Sequence, residues 1–323
     1  MSGNPDLPRP GNTVLSKQAL LATLRSIDDC DRSRARVLEM ETAFRQRITR
    51  HVASLPTSSA SFSKFNTNPF VLMFYAKRKG YSYISEIEAD ILPAKLFSSM
   101  ETSAGRMVQD VVLPIYGWES VESTMHSASS VLDGRRYEGD VVRLATLKSG
   151  PRCLNDEMSK DLADDIVGHA EQWAEEAGVD HVDFTYGVLY GTKKRSNKKD
   201  WHILRNIVET RGARFVIQDP KHRWDCSFRI RGIRIDVAVR IGGDWWAHLG
   251  DTHTLTEIMC ALIRSCVTPA RTVEESTMYT ISDLGDIVST ECVPDDYNVS
   301  LIQRSQIQWL FFLARHYCDR LEE

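Results

Sequence analysis

The residues best placed to do chemistry lie in one short run, Asp133-Gly-Arg-Arg-Tyr-Glu-Gly-Asp-Val-Val-Arg-Leu-Ala-Thr-Leu-Lys148. The run reads as a strand end, a tight turn and a second strand bearing a lysine. Metal-dependent cleavage of a phosphodiester needs such a layout. A carboxylate at the start of a hairpin, here Asp133, holds a hard divalent cation. The neighbouring strand offers Thr146 and the main-chain carbonyl of Leu147 as further ligand groups. Side chains along a strand repeat every two residues, so Thr146 and Lys148 share a face. A lysine there offsets charge or positions the attacking water, whose pKa the metal lowers. By spacing alone, an ordinary hairpin with one exposed Asp and one exposed Lys explains the pattern better.

The elements that must position these residues follow an α/β pattern. Residues 1–13, rich in Pro, Gly and Asn, read as a disordered tail. A helical stretch is expected from about 14 to 55, with Val37, Met40, Phe44, Ile48 and Val52 at three- and four-residue spacing. Residues 57–68 read as a linker, 69–80 as a short helix, and 83–100 and 103–113 as two more, the first broken near Pro93. Then the period changes. Residues 128–132 approach Asp133, 134–139 are turn-like, and Val141–Leu147 is a β-rich run. Asn155 opens a long amphipathic helix that Gly178 ends. A strand over 182–190, a basic loop over 192–200 and a helix over 201–210 follow. Strands at 213–218 and 227–241 and helices at 254–267 and 304–321 complete the pattern.

Composition bounds the function classes. The 323 residues are 42% hydrophobic and 26% charged, which excludes wholesale disorder. No apolar run approaches the length of a membrane span, and residues 1–13 lack the basic and apolar pattern expected of a secretory signal. The seven scattered Cys form no CxxC pair, so neither a disulfide framework nor a zinc ribbon is expected, and a reducing cytoplasm is the expected home. The net charge of −4 hides an asymmetry. Residues 1–80 carry 13 Lys/Arg against 6 Asp/Glu, and residues 192–240 carry 14 against 5. Two basic segments in an acidic protein point to localised polyanion contact, or to solvated basic faces. The chain has no P-loop, HExxH or GxSxG motif.

Several separated blocks resemble type II restriction endonucleases of the PD-(D/E)XK superfamily, with the closest likeness to the subfamily cutting interrupted palindromes centred on GGNCC. The blocks are Asn68-Pro69-Phe70, Gly105 to Pro114 (GRMVQDVVLP), Leu147-Lys148-Ser149-Gly150, Gly187-Val-Leu-Tyr-Gly191, His202-Ile-Leu-Arg205 and the Gly243-Asp-Trp-Trp246 region. They follow the same order at similar spacing over roughly residues 40–265. The resemblance implies that Asp133 is the metal-binding acid and Lys148 the catalytic lysine. Thr146 stands where the superfamily usually has Glu or Asp, a departure that puts the second metal ligand in question. A neutral hydroxyl ligates a cation poorly, so Asp110 is the first candidate for the missing charge, then Glu101 and Glu157. Asp140 is a lower-ranked alternative to Asp133.

The loop Lys193-Lys194-Arg195-Ser196-Asn197-Lys198-Lys199 holds five cations in seven residues. Phosphate contacts from it would add salt-dependent affinity with little sequence information. Base reading is expected from Arg, with Arg205 as a candidate beside Arg195 and Lys198. The series Arg229, Arg231 and Arg234 serves equally well as the outer face of a hairpin. Trp245 and Trp246 read as packing under a hairpin rather than base stacking, and His248 and His253 as loop residues rather than a metal site. The resulting expectation is a Mg²⁺-dependent enzyme, with Mn²⁺ as a substitute, cutting both strands of duplex DNA as a homodimer without a nucleotide cofactor. Its interface is sought in the N-terminal helices or in the stripe Trp309, Phe312, Leu313 and Tyr317. The expected fold is a mixed central sheet flanked by helices, with a nuclease core over 69–270, a helical region over 14–68 and a C-terminal extension over 271–323. The rivals are a DNA-binding protein with a dead nuclease site, and a nuclease acting on RNA or structured DNA.

Overall fold

The hairpin that carries Asp133 and Lys148 is built into a mixed seven-stranded sheet. The structure is a computed structural model, and it describes residues 14–57, 59–61, 69–121, 131–212, 216–218, 220, 223–270, 279–318 and 320–322. The expected tail, most of the 57–68 linker, Asn68, and residues 128–130 and 213–215 lie outside the described residues.

The chain opens with β1 (Val14–Ser16), α1 (Lys17–Asp28) and α2 (Asp31–Ser54). The continuous helix expected over 14–55 is therefore interrupted at residues 29–30. Ser16 caps α1, its hydroxyl accepting from the Ala19 amide at 3.0 Å. Next come α3 (Pro69–Lys79), a 3₁₀ turn (Ile84–Ile87) and α4 (Glu88–Ile115). Residues 88–115 form one helix rather than two, with Pro93 inside it. Pro93 is the sixth residue of α4 and cannot donate to the Ala89 carbonyl, yet the helix runs through it.

The sheet follows with β2 (Glu119–Ser120), β3 (Gly134–Glu138) and β4 (Val141–Lys148). Gly134–Glu138 is a full strand rather than a turn, and the turn narrows to Gly139 and Asp140. Then come α5 (Asp156–Ala177), β5 (His181–Val188), α6 (Lys199–Arg211), β6 (Val216–Gln218), β7 (Asp225–Ile230) and β8 (Ile233–Ile241). The helix expected over 155–177 is the closest match between sequence pattern and fold. Asn155 caps it by accepting from the Met158 amide at 2.8 Å, and Gly178 ends it at φ 67°. The sheet order is β2-β3-β4-β5-β8-β7-β6. The strands β4, β5 and β8 run parallel, and the other pairs are antiparallel.

Each face of the sheet has its own core. On one, Val142, Leu144, Phe184, Tyr186, Val237 and Val239 pack beneath α5 and α6. On the other, Ala145 and Leu147 meet α1, α2 and the C-terminal part of α4. That core also takes in α7 (Gly243–Leu249), α8 (Thr254–Cys266) and α10 (Ile307–Tyr317). Trp245 and Trp246 are fully buried in α7, so they pack rather than present rings to solvent. In α10 the buried face is Ile307, Leu310, Phe311 and Ala314, while Trp309 is exposed and meets Phe312 edge to face. A short α9 (Leu284–Val288) precedes α10, and β9 (Arg320–Glu322) pairs in parallel with β1. The helical N-terminal region and the C-terminal extension thus share one core with the middle of the chain.

Candidate active site

Asp133 sits at the residue before β3 and joins the ladder through its backbone, its amide donating to the Ala145 carbonyl at 2.8 Å. Its carboxylate then caps the hairpin. Oδ2 accepts from the Leu147 amide at 2.6 Å. In an extended strand the N–H and C=O of one residue point to the same edge. The Lys148 carbonyl accepts from the Leu189 amide on the β5 side at 2.9 Å. Leu147 therefore turns both of its backbone groups toward Asp133, and its carbonyl lies on the acid's side of the strand.

Continuing the register of Gly134 opposite Ala145 by one residue sets Asp133 opposite Thr146, on the face that Lys148 shares. Burial pushes the Asp133 carboxyl above its ordinary range, and the Leu147 amide and the Lys148 charge act against that rise. Thr146 is buried, and its hydroxyl donates to the Val131 carbonyl. It serves the hairpin's own hydrogen bonding.

The candidate second acids are scattered. Asp110, on α4, is paired with Arg47 of α2 at 2.7 Å. Glu101 is exposed on α4 and lines a cavity of about 780 Å³ together with Ser149, the residue after Lys148. Glu157 is exposed in the first turn of α5. Asp140 sits in the hairpin turn, eight residues along the strand from Lys148, or roughly 26 Å at ~3.3 Å per residue. The hairpin thus separates Asp140 from Lys148 and places Asp133 near it.

The basic loop is pinned and partly neutralised. Lys193 pairs with Asp244 at 2.7 Å and lies over the Trp224 ring. Lys198 lies over the same ring and reaches the Lys193 carbonyl. Lys199 pairs with Asp156 at 2.5 Å. Lys194 is exposed, and Arg195 is half-buried with its carbonyl accepting from Arg152. Arg205 is on α6 and pairs with Glu209 one turn on.

The pin is Asp200, a residue that no sequence pattern singles out. Ser196 Oγ donates to Asp200 Oδ2 at 2.7 Å, and the Lys198 amide donates to Ser196 Oγ at 2.9 Å. This holds Lys198 in the left-handed region at φ 69°. Burial raises the Asp200 carboxyl to about 6, against the lowering effect of the Ser196 and Tyr186 hydroxyls. An acid four residues after a Ser, at the start of a basic helix, carries no chemical signature in sequence.

On the opposite face, a cross-strand row sets Arg136, Arg143, Asp183, Asp236 and Ser227 side by side. The Nε atoms of Arg136, Arg143 and Arg240 are buried there without hydrogen-bond partners among the described residues. His248 meets Thr185 at 3.2 Å, and burial with the three arginines holds it near 3, so it is neutral.

Asp251, His253 and Glu257 form a group with metal-ligand geometry among the described residues. Their chemistry argues otherwise. Both Glu257 oxygens accept from Arg36, at 2.5 and 2.7 Å, and Tyr116 donates to the same carboxylate at 2.5 Å. Its charge is already balanced by the half-buried Arg36 guanidinium.

Comparison with protein-family models gives no match for this chain, and comparison with curated proteins gives no significant match. No helix among the described residues is long and apolar enough to cross a membrane.

Proposed function

We propose that this chain is a Mg²⁺-dependent, sequence-specific endonuclease of the type II restriction class, hydrolysing both strands of duplex DNA. The observation carrying the reading is the Asp133 carboxylate held at the hairpin mouth by the Leu147 amide, with Lys148 next along the strand. The mixed sheet supports it. An antiparallel β2–β3–β4 unit is followed by the α5 crossover and a parallel β5, which is consistent with the mixed, helix-flanked sheet that the resemblance implies.

The donor set fits the cation. Magnesium keeps several waters and takes one or two carboxylates plus substrate phosphates. Asp133 and the Leu147 carbonyl would hold it, with Mn²⁺ as a substitute. Glu101, on the cavity rim shared with Ser149, is the proposed second acid. When bound, the metal lowers the pKa of a water and neutralises developing charge. The remaining work falls to this chain's own residues. Asp133, half-buried, keeps its acceptor lone pairs oriented because the Leu147 amide fixes one oxygen. Lys148 orients the attacking water and offsets negative charge on the phosphate in the transition state. Cutting both strands calls for two such sites, which a homodimer supplies on a two-fold symmetric sequence. The exposed Phe70, Val71, Met73 and Phe74 of α3 offer it an apolar surface. The GGNCC-like target belongs to the same reading through the resemblance.

Thr146 favours a second reading, a DNA-binding protein that no longer cuts, because its hydroxyl is engaged by Val131. Incubation of plasmid and phage DNA across divalent metals separates the two. Discrete fragments from the wild type, absent in EDTA and absent from Lys148→Ala and Asp133→Ala, are expected. Intact DNA at every metal concentration, together with a gel shift, would favour the binder.

A further inference from the structure

One strongly charged concavity lies outside the proposed cleavage site. A pocket of about 370 Å³ opens between α2 and α4, lined by Arg47, Arg50, His51, Ser103, Arg106 and Asp110. Arg47, Arg50 and His51 follow one another at helical spacing on one face of α2. Ser103, Arg106 and Asp110 do the same on α4. The two stripes face each other, so three guanidinium groups meet a single carboxylate.

That carboxylate is already committed, since Asp110 pairs with Arg47 at 2.7 Å. Arg50 and Arg106 are exposed, and Arg50 Nε makes only a long 3.4 Å contact to the Gln46 carbonyl one turn back. His51 adds a ring nitrogen, Nε2, that is buried without a hydrogen-bond partner among the described residues. Two guanidinium groups that pair with no carboxylate among the described residues, a serine hydroxyl and the His51 ring nitrogen form a phosphate-binding set. The planar fork of Arg matches phosphate oxygens two at a time.

The pocket adjoins the cavity that Glu101 lines. It shares His51 and Met107 with that larger cavity, which Ser149 also lines. Gly105 lies against Ser149, with a Cβ position 3.3 Å from the serine Cβ. Arg106 is therefore the residue immediately after the point where α4 touches the end of β4.

We propose that the α2–α4 pocket binds a backbone phosphate of duplex DNA outside the scissile position. The proposal rests on the DNA reading above, but on binding rather than cleavage. The test is fluorescence anisotropy with a labelled duplex in EDTA, over a salt series, on the full chain. Arg50→Ala, Arg106→Ala and the double variant are compared with Arg320→Ala, a remote exposed control. Both pocket variants are expected to weaken binding to unrelated duplexes alike and to lower the salt slope by about one each. The control should leave both unchanged, and circular dichroism melting should show all variants folded. Pocket variants that bind with wild-type affinity and slope would overturn the pocket while leaving the nuclease reading in place. Loss of binding in the variants of a wild type that cuts no DNA at any metal concentration would uphold the pocket and remove the nuclease. A wild type that ignores duplex DNA, yet gains melting temperature with inorganic phosphate in a way both variants lose, would overturn DNA as the source and assign a small phosphate ligand. A wild type that responds to neither would overturn the proposal outright.

Discussion

At the residue scale, Thr146 decides most. Its hydroxyl completes the hydrogen bonding of the segment leading to Asp133, because it donates to Val131. Thr146→Val keeps the shape and removes the donor, leaving a carbonyl unmatched. The expected cost is about 1–3 kcal/mol in urea unfolding. Cleavage by the folded variant should stay within a few-fold of the wild type. A loss as deep as that of Lys148→Ala would make the hydroxyl part of the reaction instead. Asp200 gives a pH signature. Its folded carboxyl titrates at about 6, above the ordinary carboxylate value. Between those two values the folded state holds a proton that the unfolded state has released. Stability is therefore full below the unfolded value and falls as pH rises through about 6. Thermal melts from pH 4 to 8 should show this decline in the wild type, and Asp200→Asn should flatten it.

At the element scale, the α5 crossover sets β4 and β5 parallel and brings Lys148 level with Val188. Its two ends are local chemistry, Asn155 at the start and Gly178 at φ 67° at the end. Asn155→Ala and Gly178→Ala should each cost about 1 kcal/mol in denaturant unfolding, through a lost cap and a strained left-handed residue. Gly187 is under a different constraint. A Cβ there would lie 2.7 Å from Leu147 Cδ2 and 2.8 Å from the Trp245 ring. Gly187→Ala should destabilise by about 1–3 kcal/mol through overpacking, and should disturb Leu147, whose amide holds Asp133. Equal stability and equal cleavage in that variant would mean that Trp245 moves freely under the sheet.

At the scale of the whole molecule, the ends of the chain are tied to its centre. Arg36 of α2 forks onto the fully buried Glu257 of α8, and Lys17 of α1 donates to the carbonyls of Asp286 and Ser289. Removing one partner of a buried pair strands the other charge. Glu257→Ala should cost about 3–5 kcal/mol. Chelation should leave the melting temperature of the wild type unchanged, because the Asp251–His253–Glu257 group is held by a guanidinium. A drop in melting temperature with EDTA would assign that group a metal.

Several features are legible in the amino-acid sequence, and each depends on neighbours along the chain. The helix between Asn155 and Gly178 follows from an N-cap, an amphipathic period and a left-handed glycine. Thr146 and Lys148 share a face because strand side chains alternate. The α/β class follows from the alternation of the two periods, and the helix-flanked mixed sheet is expected from the resemblance. Other expectations fail where local signals are ambiguous. Gly134 suggests a turn, but pairing with β4 makes residues 134–138 a strand. Pro93 suggests a break, but α4 runs through it with one backbone bond forgone. What only tertiary structure decides are relations between segments far apart in the chain. Asp133 rather than Asp140 lies by Lys148 because the hairpin register sends the two acids to opposite ends. Asp110 is drawn away by Arg47, Asp200 is buried under the basic loop, and the stripes on α2 and α4 become one pocket. Short-range patterns encode elements, whereas the company an ionisable side chain keeps depends on which elements meet.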